Sequence, residues 1–142
     1  IQENRPIAGT NVNAGTGGTD PTPCATMGSD VWFEFTATQS GQYVATTCFP
    51  GTTFDTMIGV WDNPWYWIPS LLVCEDDSCS GFGSSHNTNT TAYFTATAGA
   101  SYLIEVGGYL SAQGDFVVSV APVATMRYGF ISSGTGTMGY LI

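Results

Sequence analysis

DVWFEFTATQSGQYVATTC, residues 30–48, reads as two strands joined by a short polar turn. Val31, Phe33 and Phe35 alternate with Trp32, Glu34 and Thr36; after Gln39-Ser40-Gly41, Tyr43, Ala45 and Thr47 alternate with Val44, Thr46 and Cys48. Period-two alternation is the mark of a strand with one buried face. The stretch is therefore expected to form an antiparallel β-hairpin. A lone hairpin is marginal in water, so Phe33 and Phe35 require a second sheet over them. The fold class that follows is all-β, an antiparallel two-sheet β-sandwich of jelly-roll-like form.

Composition agrees. The 142 residues suit one domain, with 18 Gly, 13% aromatic and only 9% charged residues. A chain of this size buries about 68–70% of the surface its unfolded form exposes, enough for one core. Thr, Ser, Gly and Asn fill the surface in place of charge, which favours strands over helices. Lysine is absent, and Arg5 and Arg127 are the two cations. A net charge of −9 repels phosphate backbones and anionic lipid, so neither nucleic acid nor a membrane surface is an expected partner. No apolar run approaches the ~20 residues of a spanning helix, so no membrane span is expected. The opening IQENRPIAG lacks the parts of a signal peptide, so an exported form is expected to have lost one already.

Outward from the hairpin, residues 1–29 read as a strand anchored by Ile7 and Val12 and a Gly/Pro-punctuated loop. FDTMIGVWD, Phe54–Asp62, is apolar on both faces, as a covered central strand would be. Two prolines keep Asn63–Pro69 out of a central strand. LLVC (71–74), TTAYFTATAG, SYLIEVGGY and GDFVVSV (114–120) supply further strands; the turns between them are short, so sequence neighbours are expected to pair antiparallel. Residues 1–120 form the sandwich, and 121–142 follow as a supernumerary strand or hairpin.

The four cysteines allow three pairings. Cys24 and Cys48 flank the hairpin, while Cys74 and Cys79 bracket CEDDSC, so Cys24–Cys48 and Cys74–Cys79 are the expected bridges. A four-thiolate zinc site would want two CxxC-like knuckles, which are missing. Bridges imply an oxidising compartment, hence a secreted, extracellular or cell-surface location.

The succession DVWFEFTA, SGQYVATTC, FDTMIGVWD, LLVCEDDSC, FTATAGASYLIEVGGY, GDFVVSV resembles the bacterial pre-peptidase C-terminal (PPC) domain over residues 5–120. The resemblance implies a secreted jelly-roll sandwich, usually a non-catalytic appendage beside proteases or other secreted modules. It also implies, for some relatives, binding of calcium or of polymers such as collagen or glycans. Two features depart from that pattern: the WYWIP segment and the extension after residue 120.

Catalysis is weakly supported. His86 lies beside Ser84 and Ser85 in a Ser/Gly/Asn loop without a nucleophile-elbow pattern. Glu34 and Glu105 could pair as glycosidase carboxylates, but both alternate with core positions and are expected to face solvent or bond Thr. Asp55, Asp62, Asn63, Glu75, Asp76 and Asp77 lie at strand ends that a sandwich could gather into a calcium site; CEDDSC could equally be a closed turn whose carboxylates cap amides. Trp61, Trp65, Tyr66 and Trp67 are candidates for a sugar-stacking platform or a protein interface, with at least one of them capping the sandwich end. Asn89-Thr90-Thr91 is a glycosylation sequon.

Residues 121–142 carry Met126, Tyr128 and Phe130 on one period-two face, an SSGTG break, and Met138, Tyr140 and Ile142 on another. Such a strand is expected to pair, either as a hairpin on its own sheet edge or by donation to the next subunit, which repeated would build a filament. The functions weighed are a self-associating structural subunit of a fibre or surface layer, a polysaccharide-binding or adhesive module, and an accessory domain of a secreted enzyme. An isopeptide-locked pilin is excluded because there is no lysine to form the bond.

Overall fold

In the computed structural model the described residues are 1–15, 24, 26–62, 69–79 and 88–123. Eight strands follow in order: β1 (Ile7–Thr10), β2 (Met27–Thr36), β3 (Gly41–Thr46), β4 (Thr56–Asp62), β5 (Ser70–Asp76), β6 (Thr91–Ala96), β7 (Ser101–Tyr109) and β8 (Asp115–Pro122). They form two four-stranded antiparallel sheets, β1-β8-β3-β6 (sheet I) and β2-β7-β4-β5 (sheet II). The pairs β1·β8, β2·β7, β3·β6 and β4·β5 nest inside one another. That nesting is jelly-roll connectivity: a long folded-over ribbon wrapped into two layers. The all-β two-sheet sandwich expected from the sequence is the architecture found.

The pairing of sequence neighbours differs from expectation. β2 and β3 are not a hairpin: they lie in opposite sheets, and the turn at 37–40 arches across the core. The turns β6–β7 and β7–β8 also change sheet, leaving β4 and β5 as the consecutive strands that pair. The reason is packing. Phe35 meets Tyr43 edge-on, with centroids 5.4 Å apart, and meets Phe94 at 6.3 Å. Those contacts run between layers, so the buried faces of β2 and β3 face each other across the core instead of lying side by side. Tyr102 closes the cluster against Phe94 at 5.5 Å. Phe116 carries the core toward the other end, against Phe33 and Phe54.

β4 sits between β7 and β5 and is buried on both faces from Thr56 to Trp61, as a covered central strand should be. Val12, by contrast, is 50% exposed and anchors nothing. Asn11 takes that role: its buried side chain donates to the Ser29 and Ala112 carbonyls and accepts from the Gly114 amide. The N-terminal segment is latched by Glu3, whose carboxylate accepts from the Tyr43 hydroxyl at 2.6 Å and from the Thr38 amide and hydroxyl.

The disulfides are Cys24–Cys74 and Cys48–Cys79, which replaces the expected Cys24–Cys48 and Cys74–Cys79. Once β2 and β3 part into different sheets, Cys24 and Cys48 part with them. Cys24 instead lies against β4, its sulfur 3.7 Å from the Ile58 carbonyl oxygen, and reaches Cys74 on β5. Residues 124–142, with Met126, Tyr128, Phe130, Met138, Tyr140 and Ile142, lie outside the described residues.

Two outcomes follow. Non-reducing digestion should yield peptides linking Cys24 to Cys74 and Cys48 to Cys79; a peptide joining Cys24 to Cys48 contradicts the fold. Burial works to raise the Glu3 pKa, but the Tyr43 and Thr38 hydrogen bonds outweigh it and hold the carboxyl below its ordinary value. A depressed acid stabilises the fold above its unfolded pKa, and that stability is lost as pH falls through the folded value. Thermal melts of wild type and Glu3→Gln should therefore differ at neutral pH and converge below about pH 4.

Candidate metal centre

The acidic residues gather at one rim of sheet II. β4 begins and β5 ends there, because consecutive antiparallel strands place the start of one beside the end of the next, and Met57 pairs with Asp76. Asp55 precedes β4, Asp76 closes β5, and Asp77 follows with φ +53°, a left-handed conformation that Asp tolerates better than most side chains. Each of the three offers a carboxylate oxygen, and these oxygens lie within 4.8 Å of one another.

Their supports are firm. Ser78 Oγ donates to the Thr91 carbonyl at 2.8 Å and accepts from the Thr91 amide at 2.7 Å. The Cys79 amide bonds the Asn89 carbonyl, and Cys79 is bridged to Cys48. On the Asp55 side the Thr56 amide bonds the Thr88 carbonyl. Beneath lies a buried threonine cluster in which the Thr47 and Thr56 hydroxyls share a 2.7 Å hydrogen bond and the Thr90 hydroxyl donates to the Thr56 carbonyl.

Three buried side-chain oxygens among the described residues have no hydrogen-bond partner: Asp55 Oδ1, Asp76 Oδ1 and Asn89 Oδ1. All three belong to segments tied together by the backbone bonds just described. Leaving such an acceptor unpaired costs about 1–3 kcal/mol, and more for a charged group. Arg5, the one cationic side chain of the described residues, bonds Gln2 at the N-terminus and does not serve them. Burial, and after it the charges of Asp76 and Asp77, pushes the Asp55 carboxyl above its ordinary pKa; burial and Asp77 do the same to Asp76. A hard divalent cation satisfies every part of this: it takes oxygen ligands at about 2.3–2.6 Å, so two ligands on one ion lie no more than about 5 Å apart.

The other expected ligands lie elsewhere. Asp62 is at the far end of β4, where it accepts from the Ser70 amide and closes the β4–β5 connection. Glu75 stands opposite Ile58 and so projects from the other face of β5 than Asp76. Asn63, Trp65, Tyr66, Trp67 and the His86/Ser84/Ser85 group lie outside the described residues. Asn89, expected as a glycan acceptor, is 2% exposed, which leaves a glycan no room in the folded protein. Its place at the rim depends on β6 entering sheet I above the end of β5, which no local pattern announces.

A second cluster corrects two further expectations. Trp32, Glu105, Gly59 and Cys74 form one row across the outer face of sheet II. Glu105 does not face solvent: it is 1% exposed and accepts from Trp61 Nε1 at 2.8 Å. Trp61, at 3% exposure, packs on Trp32 with centroids 5.8 Å apart, and the Trp32 indole donates to Asp30. Trp61 is thus buried on the outer face of sheet II and is withdrawn from any sugar platform. Glu34 is exposed on edge strand β2 and stands across from Leu103, so it faces solvent as expected while Glu105 does not. Gly59 is required beneath, since a Cβ there would lie 2.6 Å from Glu105 Oε2 and 3.0 Å from Trp61 Nε1.

Compared with protein-family models, curated proteins and solved structures, the chain has no significant match.

Gly59→Ala should therefore destabilise by about 2–3 kcal/mol, by forcing the buried Glu105 carboxylate away from Trp61, whereas Glu105→Gln, which keeps an acceptor, should cost less. Urea melts of the two variants check the order. For the rim, carboxyls with raised folded pKa values cost stability as pH rises from the ordinary Asp range through those values. In chelator-treated protein, Asp55→Asn should accordingly melt higher than wild type at pH 7 and equal to it near pH 3.

Proposed function

We propose that this chain is a non-catalytic extracellular structural module whose rim holds a calcium ion between Asp55, Asp76 and Asp77. The observation that carries the reading is the set of buried, unpartnered oxygens on the braced segments around those residues. Asn89 Oδ1, buried and unpartnered on the segment bonded to Cys79, is a neutral oxygen that could join them. Calcium suits the donor set: all ligands are hard oxygens, and the thiols that would favour zinc are committed to disulfides. The two bridges support an oxidising, extracellular setting, where calcium is plentiful enough for a weak site to fill. The PPC-like order of sequence blocks is in keeping with a module of this kind. Self-association as a subunit of a fibre or layer accompanies the reading, favoured by a bare sheet edge taken up below. A glycan-binding role draws less support, because Trp61 is buried against Trp32 and Glu105.

Calorimetric titration of chelator-treated protein with calcium chloride tests the site. Saturable binding is expected, and at 100 times Kd calcium should stabilise by about 2.7 kcal/mol, raising Tm by about 5–10 °C. Asp55→Asn and Asp76→Asn should each remove both heat and Tm shift. Wild-type protein that shows neither sinks the calcium reading.

A further inference from the structure

The sandwich has four edge strands, and three are blunted. β1 is only 4 residues long. On β2 the N-terminal amine of Ile1 donates to the Glu34 carbonyl at 2.8 Å. β5 carries a bulge, Leu72 being the extra residue between the pairs Val60–Val73 and Trp61–Leu71. Short strands, covered edges and bulges are the devices by which native sheets prevent edge-to-edge pairing.

β6 has none of them along its middle. It pairs with β3 in continuous register from Gly41–Ala96 to Thr46–Thr91. The Thr47 amide bonds the Thr90 carbonyl, so the even-numbered residues of β6 point their backbone groups at β3 and Thr91, Tyr93 and Thr95 point theirs outward. Thr91 is capped on both groups by Ser78 Oγ, and beyond the strand the Thr97 amide is taken by the Tyr102 hydroxyl. Between these caps the outward N–H and C=O of Tyr93 and Thr95 have no partner among the described residues. No charged residue occurs from Thr88 through Ile104, in a chain of net charge −9. Tyr93 is 55% exposed, and Leu71 and Leu72 are exposed on β5 along the same side of the sandwich.

We propose that β6 is a self-association edge whose occupant is β6 of a second copy, paired antiparallel about a two-fold axis through Phe94. In that register Tyr93 faces Thr95 of the second copy and Thr95 faces its Tyr93. The free groups of the two copies then satisfy one another, giving four N–H···O bonds and joining the two copies of sheet I edge to edge. The uncapped stretch is short and self-complementary, which matches a second β6 and would leave a longer donated strand blocked at Ser78. Like-charged copies also meet here over a neutral surface, so approach carries little repulsion. The contact is isologous and closes as a dimer; a fibre needs a further, head-to-tail contact. The inference rests on the self-associating reading above and specifies its partner and register.

Sedimentation equilibrium of the full chain, with calcium held constant, tests it. Wild type should dimerise reversibly, and a monomer at every concentration overturns both this inference and the self-associating reading. Thr95→Pro removes an outward N–H and no ladder bond within the protomer, a position where edge strands accept proline. It deletes two bonds per dimer, so dimerisation should weaken about 30-fold with Tm unchanged. Thr95→Lys, a substitution of an exposed side chain, should weaken it likewise should the proline variant fold poorly. Undiminished dimerisation in the folded variants overturns the β6 contact while leaving self-association standing. Loss of association in full-length Tyr128→Pro/Tyr140→Pro, which cannot place those residues in a ladder, also overturns it, since the C-terminal segment would then be the occupant.

Discussion

The contact between Phe35 of one sheet and Tyr43 and Phe94 of the other is what the remaining architecture depends on. It holds the arch at 37–40 across the core, and with the arch in place β2 and β3 cannot pair. Apart from the consecutive pair β4 and β5, the strands must then find their partners at long sequence separation, inside the nested ribbon. Tyr43 is fully buried and its hydroxyl still finds Glu3 and the Gln39 carbonyl, so the same ring that joins the layers fastens the N-terminal segment over the open side. Core packing and edge protection thus share one residue.

Charge is distributed on a similar economy. With nine surplus negative charges and very few cations, the protein cannot neutralise its carboxylates by ion pairing. It treats buried ones in two ways. Glu105 receives an indole N–H from Trp61, which packs on Trp32. Asp55 and Asp76 receive no such donor to the oxygens they bury, and they lie beside a third carboxylate. That contrast is the physical reason for reading the first cluster as stabilising and for the proposal of a cation at the second.

Most strands were legible in the sequence because alternation is a property of one strand at a time. Phe33, Phe35, Tyr43 and Ala45 all turn toward the core side that the pattern assigns them. Alternation says nothing of which strand lies alongside, and a four-residue turn serves an arch as well as a hairpin; the cysteine pairing failed with that choice. The rim was half legible. Asp55, Asp76 and Asp77 sit at strand ends that the β4–β5 pairing does gather, while Asp62, also at a strand end, belongs to the opposite end of β4. Asn89 and Glu105 were missed for one reason: both are polar residues buried by elements distant in sequence, and their local context, a sequon and an alternating strand, suggests exposure.

The pairing of β1 with β8 has a kinetic consequence. Ile7 lies across from Val118, so the first strand stays without its neighbour until more than a hundred further residues are available. A domain wired this way has high contact order and folds slowly, only once most of the chain is available. Until then the apolar faces of β2, β3 and β4 stand open to other chains. The shortage of charge that suits the mature surface offers those intermediates little mutual repulsion beyond the acidic excess itself, so yield on refolding should depend more steeply on protein concentration than the stability of the finished sandwich would suggest.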